Sequence, residues 1–129
     1  MGSRMNSSVV WFVAAVLAGC GGNDPVEVVT HVHNATIKVR VFQLVNAGGG
    51  STNEVAVAGA TVELYKTESD RDLSINEVLE KASDTDGNVT FVNCTEAHYY
   101  LRCSHTNYGE LLDDVSTPDG TVSFVEFIY

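Results

Sequence analysis

The sequence predicts an all-β fold, an antiparallel β-sandwich of about seven strands, on three observations. The stretch Val57-Ala58-Gly59-Ala60-Thr61-Val62-Glu63-Leu64-Tyr65 is a glycine turn feeding an alternating strand. Ala60, Val62 and Leu64 fall on one face, and Thr61, Glu63 and Tyr65 on the other. The stretch Thr85-Asp86-Gly87-Asn88-Val89-Thr90-Phe91 repeats the pattern, with an Asp-Gly turn and Val89 and Phe91 as its apolar members. Further short β-prone runs follow one another, separated by Gly, Asp and Asn turns, as in a sandwich.

The first strand of the domain covers residues 36–45, where Ile37, Val39 and Val41 alternate with Lys38, Arg40 and Phe42. Residues 46–53 (Asn-Ala-Gly-Gly-Gly-Ser-Thr-Asn) read as a flexible loop. Such a run cradles phosphate only where it opens a helix; here another strand follows, over residues 60–66. Residues 67–73 read as an acidic loop. Residues 74–83 read two ways. Ser74-Ile75-Asn76-Glu77 matches a helix capping box, but a strand over 78–83 makes a hairpin through Asp84-Thr85-Asp86-Gly87. The strand is the favoured reading, after one helical turn at most. Residues 89–94 and 99–105 are strands with a turn over 95–98, and 108–115 is a weaker strand. Pro118-Asp119-Gly120 is a turn with proline to fix φ and glycine for positive φ. The last strand covers 121–129.

The N-terminus has a different character. Arg4 precedes the apolar run Val9–Val16, which is too short to span a bilayer as a mature helix. It leads to Leu17-Ala18-Gly19-Cys20, which resembles a bacterial lipobox. Residues 1–19 are therefore expected to be a lipoprotein signal peptide, with Cys20 carrying lipid and 20–34 forming a tether to a domain over 35–129. Acyl chains contribute about 0.8 kcal/mol per buried CH₂, so a lipidated Cys20 is a stable anchor. Gly21 in place of an aspartate favours the outer membrane. If extended, residues 21–34 reach on the order of 45 Å.

All 17 acidic residues follow Cys20, against six basic ones. A nucleic-acid partner needs the opposite sign and is excluded. His31 and His33 project to one side of any strand there, a minimal metal pair lacking a third ligand. Asp84-x-Asp86-Gly87 starts like a calcium loop but lacks the remaining oxygen ligands. No metal or cofactor is expected. No Gly-x-Ser-x-Gly element or activated cysteine is present, and no enzyme is expected.

Residues 57–65, then Thr-Asp-Gly-Asn-Val-Thr-Phe-Val-Asn (85–93), then Tyr-Tyr-Leu-Arg (99–102) resemble a prealbumin-like (transthyretin-like) Greek-key sandwich. The nearest types are collagen-adhesin B-type repeats and carboxypeptidase regulatory-like domains. The resemblance implies a stalk, spacer or adhesive unit and no catalysis. Some adhesin repeats join a first-strand lysine to a last-strand Asn or Asp. Lys38 matches the lysine, but Cys103 stands where the acid belongs, and the last strand offers only Glu126, so no such bond is expected. Cys94 and Cys103 are both expected to face inward. They form either a disulfide, if the chain changes sheets near 95–98, or two buried free thiols. Tyr100 and Tyr108 are the candidate sugar-stacking residues. The expected function is a non-enzymatic, lipid-anchored cell-envelope module, structural or adhesive, whose partner is the membrane and an envelope protein or glycan. The alternative is a small carbohydrate-binding module serving glycan uptake.

Overall fold

The computed structural model describes residues 10–15 and 27–129, with side chains from residue 30 onward. The expected lipidation site, Cys20, lies outside the described residues. Strand β1 (Val10–Ala15) lies in the apolar run of the expected leader and pairs antiparallel with β2 (Glu27–Val32). The sandwich follows: β3 (Ala35–Gly48), β4 (Ser51–Ala56), β5 (Thr61–Tyr65), β6 (Leu79–Ala82), β7 (Asn88–Cys94), β8 (His98–His105), β9 (Gly109–Ser116) and β10 (Val122–Ile128). One sheet is built on β3, which holds β10 on one side and β7 and then β4 on the other. The second has the order β6-β5-β8-β9. All pairings are antiparallel except β10 with β3, which run parallel.

The two alternating stretches face each other as expected. Val62 and Leu64 from β5, Leu101 and Cys103 from β8, Ile37, Val39 and Val41 from β3, and Val89 and Phe91 from β7 form one buried core. Burying side chains of this size contributes about 1.5–3 kcal/mol each. The 57–60 turn is fastened by Ser83. Its hydroxyl donates to the Val57 carbonyl at 2.7 Å and accepts from the Ala60 N–H at 2.9 Å.

Four local expectations are corrected. Residues 46–53 do not form a loop: β3 continues to Gly48 and returns as β4, leaving Gly49 and Gly50, both at positive φ, as the hairpin tip. This raises the sandwich to eight strands. Residues 67–73 hold a helix, α1 (Glu68–Leu73). Thr67 caps it by accepting the Asp70 N–H at 3.0 Å, and Glu68 and Asp70 suit the positive end of the dipole. Ser74, read as a possible cap, is instead the left-handed residue that ends α1. Finally, the Asp84–Gly87 turn does not close a hairpin, because β6 belongs to one sheet and β7 to the other. Asp84 Oδ1 accepts from Asp86 N and Asn88 N, both at 2.9 Å, so the carboxylate shapes a crossing between sheets.

Tyr65 is also placed differently from its alternation. It is on the outward side of β5 yet buried, at the point where the chain turns into α1. Helix α1 lies over β5 and β8, and there the buried Arg71 donates to the Asp113 carbonyl at 3.0 Å.

Candidate binding face

The expected cysteine and tyrosine sites come first. Cys94 and Cys103 are both buried, as expected, but both are free thiols. Cys94 faces inward because β7 bulges. Ala35 pairs with Cys94 and Ile37 with Phe91, so β7 carries one extra residue, and Asn93 sits at φ 57. The chain does change sheets after Cys94, yet no disulfide follows. The Tyr99 hydroxyl accepts from Thr95 N at 3.0 Å, so Cys94 lies by the start of β8. Cys103 is four residues further along that strand than Tyr99, about 13 Å from its backbone, and the two thiols are not bonded to each other. Burial pushes both thiols above the usual range, which holds them protonated and unreactive. Both thiols should therefore titrate in the unfolded, unreduced protein. Reductant should leave the melting midpoint unchanged to within about 1 °C.

Tyr100 and Tyr108 do not converge. Tyr100 lies on the outward side of β8, its ring 4.9 Å from that of His98 and 5.7 Å from the Arg71 guanidinium. Tyr108 follows the other end of β8, stacked on His105 at 4.7 Å and beside Tyr129 at 5.3 Å. Positions 100 and 105 on one strand are about 17 Å apart. Each ring packs against its own neighbours, so the two make no common platform.

The histidines are fasteners. His31 bonds the Asp119 carboxylate, and His33 lies 2.8 Å from the Thr117 carbonyl. Asp119 also accepts the Asn34 N–H at 2.8 Å. That bond first, and His31 second, hold its carboxyl below the usual range. His98 bonds Asp114 at 2.8 Å. Among the described residues, no hydroxyl or thiol is hydrogen-bonded to either of these His–Asp pairs. Glu63, Glu77 and Glu80 bring carboxylate oxygens within 4.8 Å of one another on β5, β6 and the segment before β6. Burial, then the charges of Glu63 and Glu80, push the Glu77 carboxyl up.

The open surface is elsewhere, on the outward face of the β10–β3–β7 layer. Strand register sets two rows across it: Phe124, Lys38 and Thr90, then Glu126, Arg40 and Asn88. These residues line a groove of about 510 Å³, a size suited to a small ligand. Phe124 is 72% exposed, the most exposed large apolar side chain among the described residues. Arg40 is engaged: it bonds Glu54, reaches Glu126 at 3.4 Å, and lies 4.1 Å above the Phe42 ring. Lys38, across from Phe124, is exposed and points away from the core.

The sequence reading missed Phe124. The available signal was β10 itself, Val-Ser-Phe-Val-Glu-Phe-Ile, which carries apolar residues on both faces. A two-layer sandwich buries only one face of each sheet. Val125 and Phe127 are the buried set, which leaves Val122, Phe124 and Ile128 outside.

No family model matches the chain, and no curated protein matches it by sequence. Among solved structures the chain is similar to GBS52, the minor pilin of Streptococcus agalactiae, at 12% identity and a TM-score of 0.55. The match covers 81% of this chain and 52% of that one. The fold is a pilin-like β-sandwich. The Bacillus anthracis TIE protein is similar at 8% identity and a TM-score of 0.52, over 94% of this chain and 24% of that one. The chain thus spans about half of the pilin and a quarter of the TIE protein. At these identities the likeness is one of fold, and it agrees with a prealbumin-like arrangement.

Proposed function

We propose that this protein is a non-enzymatic cell-envelope lipoprotein, a structural or adhesive module held at the membrane through lipid on Cys20. The outward face of the β10–β3–β7 layer is its contact surface. The observation that carries the reading is that face: an exposed aromatic ring beside side chains not used in holding the fold. The histidines, the thiols and most of the charged residues, by contrast, are engaged in holding the sandwich together. The anchor is supported by Leu17-Ala18-Gly19-Cys20 at the end of an apolar run. Among the described residues no helix is long and apolar enough to cross a membrane. The outer membrane is the proposed location, in keeping with Gly21 after the cysteine.

The anchor is tested by fractionating cells that express the chain and its Cys20→Ala variant. The native chain should sediment with membranes, partition into detergent and incorporate labelled fatty acid. The variant should accumulate as unprocessed precursor or appear in the soluble fraction. A variant that is still processed and detergent-dependent would remove the lipid anchor from the reading.

A further inference from the structure

The groove on the β10–β3–β7 face has a chemistry specific enough to name its ligand class. We propose that it binds a neutral glycan, with one pyranose ring lying on Phe124 beside Lys38 and the adjoining sugar reaching Thr90 and Asn88 on β7. This rests on the reading of the protein as a non-enzymatic binding module, and it supplies that module's ligand.

Three observations converge. The first is the ring. A phenylalanine this exposed, mid-strand in a sheet, offers a flat apolar face of sugar size, and aromatic faces pair with the C–H face of a pyranose. The second is the set of unengaged polar groups beside it. Lys38 is the one basic side chain, among the described residues, that makes neither an ion pair nor a hydrogen bond. Arg40, Lys66, Arg71 and Arg102 are paired with carboxylates, and Lys81 donates to the Thr90 carbonyl at 2.8 Å. The Asn88 amide and the Thr90 hydroxyl likewise have no side-chain bond. Together these three offer several donors and two acceptors, Lys38 one strand spacing from the ring, about 5 Å, and Thr90 and Asn88 on β7 two spacings or more, about 10 Å. Sugar hydroxyls both donate and accept, and so match such a mixture.

The third observation is charge. The chain carries a net charge of −10, which repels polyanions at long range. At the groove Arg40 is paired with Glu54 and Glu126, and Lys38 is the lining cation left without a carboxylate. An uncharged ligand meets no penalty there, and an acidic polysaccharide finds little cationic surplus to offset its repulsion by the chain. The groove volume, about 510 Å³, suits a short stretch of glycan.

The test is a titration of the ¹⁵N-labelled full chain with cellopentaose, chitopentaose, β-1,4-galactopentaose and, for comparison, oligogalacturonate. At least one neutral oligosaccharide should bind with a Kd below about 1 mM. It should shift the amides of residues 38–40, 88–90 and 124–126. Phe124→Ala should weaken that binding by about tenfold or more, and Lys38→Gln by about threefold. Both residues are exposed, so both variants should melt with the parent. The proposal is overturned if no neutral oligosaccharide shifts those amides at about 10 mM, if the shifts map elsewhere, or if Phe124→Ala binds as the parent does. Tighter binding of oligogalacturonate than of every neutral probe would also overturn it. Sedimentation velocity supplies another arm: self-association abolished by Phe124→Ala would assign the face to a second copy of the chain instead. These readouts do not depend on lipid, so their failure is separable from failure of the anchor.

Discussion

Replacing Gly87 with alanine should destabilise the protein by about 3 kcal/mol or more, one of the largest effects expected of a single methyl group here. Gly87 sits at φ 78, where an L side chain is strained. A Cβ there would stand 2.2 Å from the Val41 carbonyl oxygen, which is backbone and cannot swing aside. That oxygen accepts the Val57 N–H at 3.0 Å, and the Val41 N–H donates to Gly87 at 2.7 Å. Relief of the clash therefore breaks the link between the sheet crossing and the middle of β3. Gly59→Ala is the control. Its φ, 74, is nearly the same, but nothing lies within 4 Å of its Cβ position. It should cost only about 1 kcal/mol. Urea unfolding of both variants separates conformation from contact. Equal losses would mean that the close approach to Val41 contributes nothing.

Phe91→Ala should cost about 3–5 kcal/mol, whereas Phe124→Ala should change stability by less than about 0.5 kcal/mol. Both are phenylalanines on strands that pair with β3. Phe91 is 1% exposed and packs in the core. Its removal leaves a cavity that the surrounding β-branched residues are too stiff to fill. Phe124 is on the solvent side, and its removal leaves no void. The check is the denaturation midpoint at constant m-value. Similar losses from the two variants would show that Phe124 is packed against something, contrary to the open face described above.

The alternating strands were legible because the period of two marks the buried face. Val62 and Leu64, Val89 and Phe91, Leu101 and Cys103 all face inward as read. Sheet membership was not legible. The Asp-Gly turn before β7 has hairpin chemistry, yet the strands it joins lie in different sheets. Turn residues report local backbone geometry and not which strand is the partner. Helix α1 was missed because its six residues bring no apolar stripe to the core. They bury Arg71, and their one large apolar residue, Leu73, is exposed. The cysteines' inward direction was readable and their separation was not, since it depends on a bulge at Asn93 and on how far β8 runs. Phe124 was hidden in a strand apolar on both sides, where periodicity gives no preference between core and surface.

The parallel pairing of β10 with β3 has a mechanical consequence. Seven register positions join the two strands, from Val122 opposite Thr36 to Ile128 opposite Phe42. A load applied across the domain, upstream of Ala35 and downstream of Ile128, pulls neighbouring strands in opposite directions along their own axes. The bonds between them are then strained in shear, and must fail nearly together. A hairpin pulled at its open end instead unzips one pair at a time. Forced unfolding is governed by the barrier and not by equilibrium stability, so this geometry resists tension more than the size of the core suggests. A tether before β3 and a pull on β10 load the pair in this direction.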